Sequence, residues 1–466
     1  MSGYVLVIDR GSTNTKAVVF NTRGEEILIC ARSSPKAVAT HPGWWEQDME
    51  AIWQVAAQTI RDVFNAGIAP DEVLGVFPVG QGNGLMAIDK AGAPVRMGIH
   101  SLDSRAAGIV AQWQADGRYA KAVEIVGLPF GAGAPLPLLC WLRENNRAEY
   151  DTIDKILFSK DWIAYRFCGA ICTDPTDASG AGLMDLQSNA YAHDMFEMLG
   201  AGFVQDQLPE IRACHEIAGH VTNEAAKQTG LLEGTPVLCG AHDIAACSFG
   251  IGAVDPQQLV CAVGTWGLNL APTKHLDGLP AVMRHTVPGW QLTGVGDGNS
   301  GGCLDIMLEM LGVVDYDEAQ RMIAGREPTD IIFQPAIFST GAGFDGICSW
   351  HGRADLLLAV YEGIVMGHAR NIRLMNGPFK KLWLVGGGAK SPVFGQLFAD
   401  ITGLTVHVPA ISEITARGGA LNALVGLGVC KDYDEAALPV PAKATFEPNN
   451  REFYARKFER FQAQLK

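Results

Sequence analysis

No Cys-x-x-Cys pair occurs in this chain, although it holds 11 cysteines. Scattered singly, they fit neither a zinc ribbon nor a disulfide framework, and a reduced, cytoplasmic setting is expected. No Lys/Arg cluster stands out against a formal charge of −14, so the basic face that displaces counterions from a duplex is missing and no nucleic-acid partner is expected. No apolar run reaches the roughly 18 residues of a membrane helix without a charge or histidine interrupting it, so no membrane association is expected. The first residues run straight into a strand-like segment, without the basic stretch and cleavage site of a secretory leader. Gly-Lys-Ser/Thr is absent, which excludes a P-loop.

Apolar residues and glycine are plentiful. At 466 residues, with 48% hydrophobic side chains and 54 glycines, the chain exceeds one ordinary core, and two domains are expected, residues 1–247 and 248–466. The opening "YVLVIDRGSTNTKAVVF" (4–20) puts one carboxylate, Asp9, at the end of an apolar run, then a turn of glycine and hydroxyls, then a second run. Strands are predicted over 4–9, 17–20 and 27–31, an antiparallel meander given the short gaps. "HPGWWEQD" (41–48) reads as a loop whose Asp48 N-caps a helix with Ile52, Ala56, Ile60, Val63 and Phe64 on one face, stopped at Gly67. "VLGVFPVGQGNGLMAID" (73–89) reads as strand, turn, strand. The segments 136–143 and 160–167 read as helices. In "QQLVCAVGTWGLNLAP" (257–272) the opening pattern returns, as expected of a duplicated architecture whose halves face each other. In "LWLVGGGAKSPVFGQLFADITG" (382–403) a strand meets three glycines, then Ser391 as N-cap and Pro392 in the first helical turn.

Glycine and hydroxyls at a hairpin mouth let phosphates approach bare backbone amides. A carboxylate there can hold hydrated magnesium, or it can simply satisfy turn amides. Asp243 reads either as a helix N-cap or as a general base for a substrate hydroxyl, with His242 adjacent. "CHEIAGH" (214–220) nearly matches His-Glu-x-x-His, but His215 and His220 are five apart, on different faces of a helix, and no zinc site is expected. "GNSGG" (298–302) does match Gly-x-Ser-x-Gly, with Asp345 and His351 following in hydrolase order, so a serine hydrolase using Ser300 is the main alternative. His368, on an apolar stripe with Leu357, Val360, Ile364 and Ile372, reads as a core histidine.

Taken in order, "IDRGSTNTKAVVF", "PGWWEQD", "VGQGNGL", "LDSRA", "SKDWIAYRFCG", "TDPTDAS", "GTPVLCGAHD", "VGTWG", "VGGGAKSPVFGQLFADITG" and "EITARGGALNAL" resemble the FGGY family of carbohydrate kinases over nearly the whole chain. The resemblance implies an α/β fold of two actin-like (ribonuclease-H-like) domains flanking a catalytic cleft. It implies transfer of the ATP γ-phosphate to a sugar or polyol hydroxyl with Mg2+. By matching position, Asp9 would organise the metal, and Gly11, Ser12 and Thr13 would form the first phosphate loop. Gly264 and Thr265 would contact phosphates from the second domain, and Gly301, Gly388 and Ala389 would line the nucleotide site. Asp243 falls on the family's catalytic base, while Gln81, Asn83 and Asp103 are the expected substrate contacts beside it. Glycerol kinases carry an arginine–glutamate pair where this chain has Gly82 and Asn83, and D-xylulose kinases a Met-His-Gly after the glutamine. The Gln-Gly-x-Gly form and "SLDSRA" look more like the L-xylulose and erythritol kinase branch, so a ketopentose or a four- to five-carbon polyol is the expected acceptor. Arg10 is unusual for the family and is expected only to make a salt bridge. A homodimer is compatible with the sequence. A non-catalytic nucleotide-gated binder of the same superfold is the second alternative.

Overall fold

Val5, Leu6, Val7 and Ile8 are all fully buried, which a strand achieves only when both faces of its sheet are covered. In the computed structural model, which describes residues 3–252, 254–276, 278–337 and 341–464, that strand, Tyr4–Arg10, is the centre of a seven-stranded sheet. It pairs antiparallel with Asn14–Asn21, which pairs antiparallel with Glu26–Ser33. On its other side Val73–Gly80 runs parallel to it, and Pro236–Leu238 runs parallel to that. The second seven-stranded sheet repeats this order. Gln258–Val263 pairs antiparallel with Gly267–Thr273, which pairs antiparallel with Gln291–Asp297. Lys381–Val385 lies parallel to Gln258–Val263, and Thr405–Pro409 parallel beyond it. The duplication expected from two glycine turns is therefore a duplication of sheet topology.

The outer face of the first sheet is closed by the Met49–Asn65 helix, whose Ile52, Trp53, Ala56, Ile60 and Val63 are buried with Leu6, Ile8 and Val19. Asp48 caps it by accepting from the Ala51 amide at 3.1 Å. The "HPGWWEQD" segment is not the plain loop expected. Trp44–Gln47 forms a strand against Val38–His41, because Glu46 and Gln47 are buried and their backbone needs partners.

The inner faces of the two sheets are filled by two short helices, Asp243–Gly250 and Ile414–Gly426. Ala246 and Phe249 of the first pack on Val5, Val7, Phe77 and Val79 of sheet one together with Ala416, Ala420 and Leu424. Ala245, Cys247 and Ile251 pack instead on Val260, Leu270 and Trp383 of sheet two. One helix thus belongs to both cores. The crossing is tight: a Cβ on Gly418 would lie 1.8 Å from the Ala246 carbonyl oxygen, and one on Gly250 2.0 Å from that of Ile414.

Gly418→Ala must push these helices apart, and overpacking of this kind costs about 1–3 kcal/mol or more. Thermal unfolding should show a clear loss of Tm for Gly418→Ala. Gly108→Ala is the control, since nothing lies within 4 Å of its would-be Cβ, and it should be neutral or slightly stabilising.

Candidate active site

Asp9 sits at the end of the first strand, and antiparallel register places Lys16 directly across from it. The turn between them is pinned: the Gly11 amide donates to the Asn14 carbonyl at 3.0 Å, and Ser34 Oγ donates to the Gly11 carbonyl at 2.7 Å. Ser12 and Thr13 are left exposed at its tip. Lys16 Nζ reaches across the cleft to Glu413 Oε2 at 2.6 Å, at the start of the Ile414–Gly426 helix. Among the described residues no group donates to the Asp9 carboxylate. Burial pushes its pKa up to about 7, reinforced by Asp243 and Glu413 and opposed by Lys16 and Arg10. An open carboxylate whose ionised form lacks compensation is a donor set that fits a hard cation.

Asp243 opens its helix at the first helical position, after His242 as N-cap. The N-cap alternative for Asp243 is thus replaced by a carboxylate that stays 32% exposed and meets His242 Nε2 at 3.3 Å. Burial raises its pKa, while His242, the Ile244 amide and Arg10 lower it. Arg10 itself is 1% exposed. It forms no salt bridge of the kind expected. Its Nη2 donates to Gln47 Oε1, and Nε and Nη1 have no hydrogen-bond partner among the described residues. Burial lowers its pKa to about 10 against the field of Asp243 and Asp9.

Beside this group lies the Gln81–Gly84 turn. Gln81 approaches His100 Nε2 at 3.0 Å, and His100 Nδ1 accepts the Leu102 amide at 3.1 Å. Burial, helped by Arg10, depresses the His100 pKa to about 4, so this ring is neutral. Asn83 holds a left-handed backbone, φ 61°, a conformation rare outside glycine and common at binding turns. Asp103 is a correction to the expected substrate contacts. Its oxygens accept from the Trp45 amide at 2.7 Å and from the Arg105 amide, Nε and Nη2, each at 2.9 Å. Four donors saturate a carboxylate, so Asp103 fixes the loop and offers no open acceptor.

On the second sheet, the Gly264–Thr265 turn is clasped by the start of the Gly301–Met310 helix. The Gly301 amide donates to the Gly264 carbonyl at 2.8 Å and the Gly302 amide to that of Thr265 at 3.0 Å. A Cβ on Gly301 would sit 2.4 Å from the Gly264 oxygen, and one on Gly388 2.5 Å from Val263 Cβ. Gly264, Thr265, Gly301 and the Gly387–Lys390 turn that carries Gly388 and Ala389 therefore converge at one end of the second sheet. Such bare backbone suits a phosphate-bearing ligand.

The hydrolase triad does not assemble. His351 Nδ1 accepts the Cys348 amide, and Asp345 accepts from Gln464. Ser300 Oγ instead meets His368 Nε2 at 3.1 Å, and His368 Nδ1 meets Asn269 Oδ1 at 2.9 Å. Ser300 and Asn269 have no exposure and His368 has 3%, so no acyl group can reach this row, and His368 is the core residue its stripe predicts. "CHEIAGH" is not a helix either: Ile217–His220 is a strand, and His215 Nδ1 lies 3.0 Å from Tyr433 Oη.

Two matched sheets with polar turns at a shared cleft define a class that the comparisons identify. Residues 4–250 match the N-terminal domain of the FGGY family of carbohydrate kinases, and residues 337–427 its C-terminal domain. A probable L-xylulose kinase of Pasteurella multocida is 30% identical over 477 residues, 98% of both chains. The L-xylulose/3-keto-L-gulonate kinase of Escherichia coli K12 is 30% identical over 481 residues, 99% of this chain and 96% of that one. Ligand-bound xylulose kinase from Lactobacillus acidophilus superposes with a TM-score of 0.92 at 20% identity, covering 99% of this chain and 97% of that one. The chain belongs to the FGGY family of carbohydrate kinases, with that family's actin-like α/β fold. It is a sugar kinase, using ATP as its family does. No helix among the described residues is long and apolar enough to cross a membrane.

Sequence reasoning missed Lys16, Glu413 and His100. Lys16 was recoverable, because a hairpin turning at residues 12 and 13 must pair 16 with 9. Glu413 and His100 had no local signal. The burial of Ser300 predicts that a fluorophosphonate probe leaves the native enzyme unlabelled at that residue by peptide mass analysis, whereas an adduct there would revive the hydrolase reading.

Proposed function

We propose that this kinase phosphorylates a hydroxyl of a ketopentose of the L-xylulose type or of a four- to five-carbon polyol, with Asp243 as general base. The observation that carries the base is Asp243 itself: a partly exposed carboxylate at the first position of its helix, with one oxygen beside His242. Its names among relatives, L-xylulose kinase in two bacteria, support the acceptor class. Residues 1–247 would hold the acceptor and the first phosphate turn, and residues 248–466 the nucleotide, in a cytoplasmic enzyme.

Gln81, held by the neutral His100, and Asn83 supply hydrogen bonds that orient a polyhydroxylated chain. The amides and hydroxyls of Gly11, Ser12 and Thr13 meet the transferring phosphoryl group from one side, and those of Gly264 and Thr265 from the other. Asp243 accepts the proton as the acceptor oxygen attacks phosphorus. Asp9 would hold magnesium, which when bound neutralises phosphate charge. Gly301, Gly388 and Ala389 leave room for the nucleotide.

ADP release should be measured with Mg-ATP over ketopentoses, tetritols, pentitols and glycerol. Turnover with one or a few acceptors is expected, and Asp243→Asn should lower kcat by about 10²–10⁴-fold. Retained turnover in that variant, or none with any acceptor, would overturn the base or the acceptor class respectively. EDTA should abolish activity, restored by added magnesium. Because burial raises the Asp243 pKa, the base is protonated already above the usual carboxylate range. The acid limb of kcat/KM should therefore lie above that of an ordinary exposed carboxylate, activity falling as pH drops through the raised value.

A further inference from the structure

Two glycines flank the His242 ring, and neither has a positive φ, so their backbone does not require glycine. A Cβ on Gly82 would lie 2.6 Å from His242 Nε2, and one on Gly180 3.0 Å from Nδ1. The fold keeps both positions bare where an imidazole stands. The backbone of His242 is fixed as well: it pairs with Gly80 in the first sheet, and its amide donates to Thr176 Oγ1 at 2.8 Å. The side chain is 7% exposed, and Nδ1 has no partner among the described residues.

That environment selects one tautomer. A proton on Nδ1 would bury an unmet donor and set the Nε2 lone pair against the Asp243 carboxylate. A proton on Nε2 instead faces Asp243 Oδ1, 3.3 Å away, and meets its charge. Burial keeps the ring neutral by lowering its pKa. The Ile244 amide already favours the ionised carboxylate, and without the imidazole contact a carboxylate at the first position of a helix is drawn further towards the helix's own free amides.

We propose that His242 is a positioning residue for phosphoryl transfer, its Nε2–H holding Asp243 Oδ1 so that the other carboxylate oxygen stays turned to the acceptor hydroxyl. The inference rests on Asp243 being the base. The charged groups around the pair are Arg10, Asp9, Lys160, Asp174 and, beyond Gly82, Asp177.

The test compares His242→Ala, His242→Gln and Gly82→Ala with the parent enzyme and Asp243→Asn, on the best acceptor of the panel. His242→Ala should lower kcat about 10- to 100-fold, a loss typical of a misplaced reacting group, with acceptor KM changed less than about threefold. Its acid limb should move to higher pH, because the ionised carboxylate loses a donor. His242→Gln, which keeps an N–H donor, should recover most of kcat. Gly82→Ala, which displaces the ring, should reproduce the His242→Ala loss and shift. In the parent enzyme, imidazole 15N shifts should show Nε2 protonated and Nδ1 bare. Parent-like kcat and pH profile in His242→Ala overturn the proposal, as do equal losses in the Ala and Gln variants without a moved acid limb, or an Nδ1-protonated ring. Turnover retained by Asp243→Asn overturns the base reading, whereas an inactive Asp243→Asn beside a parent-like His242→Ala overturns the positioning role alone.

Discussion

The arrangement depends on one contact, the crossing of the Asp243–Gly250 and Ile414–Gly426 helices between the two sheets. Helices whose contacting faces carry ordinary side chains sit about 8–10 Å apart, and here Gly250 and Gly418 bring backbone within van der Waals distance of backbone. The closeness has a polar counterpart. Arg417, 2% exposed, donates Nη1 to the Gly250 carbonyl at 2.6 Å, Nη2 to that of Leu438 at 2.8 Å and Nε to that of Gly24 at 3.1 Å. A guanidinium on the last carbonyl of the Asp243 helix satisfies an orphan acceptor and complements the helix dipole. The same residue ties the first sheet's turn at Gly24 to the C-terminal segment. The Asp243 helix is anchored at its far end, which leaves its N-terminus and carboxylate at the cleft.

Electrostatics in that cleft follow from burial. Burial and the Asp243 charge raise the cost of ionising Asp9, and the cations beside it are already engaged. Lys16 is engaged by Glu413 and Arg10 by Gln47. The result is a cleft short of positive charge, with a carboxylate pushed up to about 7. A divalent cation beside Asp9 would relieve that imbalance and favour the ionised carboxylate. Lys16 and Glu413 also join residues 397 apart in sequence, so the first phosphate turn and the Ile414–Gly426 helix are mechanically linked.

Much of this was legible beforehand because the relevant signals are local. The meander, the Asp48 and Ser391 caps and both glycine turns follow from short-range patterning, and the family resemblance added their order. Trp44–Gln47 was misread because its partners are a short strand at Val38–His41 and the distant Gly98–Ile99, and its residues do not alternate cleanly in burial. Asp103 was misread for a different reason. An acid in an exposed-looking loop resembles a ligand contact, and only the tertiary fold brings Trp45 and Arg105 onto both its oxygens. His100, Glu413 and the imidazole space at Gly82 and Gly180 depend on segments meeting across the fold, which no window of sequence records.

The wall behind the Gln81–Gly84 turn shows how buried charge is kept internally paired. Arg105 and Asp103 have fully buried side chains, and Arg105 also pairs with Glu46 at 2.8 Å and stacks over Trp44 at 4.3 Å. Arg96 bridges the same Glu46 to Glu149. These ions neutralise one another inside the wall, and a buried pair of this kind contributes more to fixing a geometry than to net stability. What the wall presents beside Asp243 is Gln81, backed by a neutral His100, and Asn83, amides that can each donate and accept. A surface of that kind distinguishes hydroxyls by direction and not by charge. For the acceptor proposed above, discrimination would lie in which oxygens are left unpaired when a wrong stereoisomer enters, the setting in which hydrogen-bonding sites are most selective.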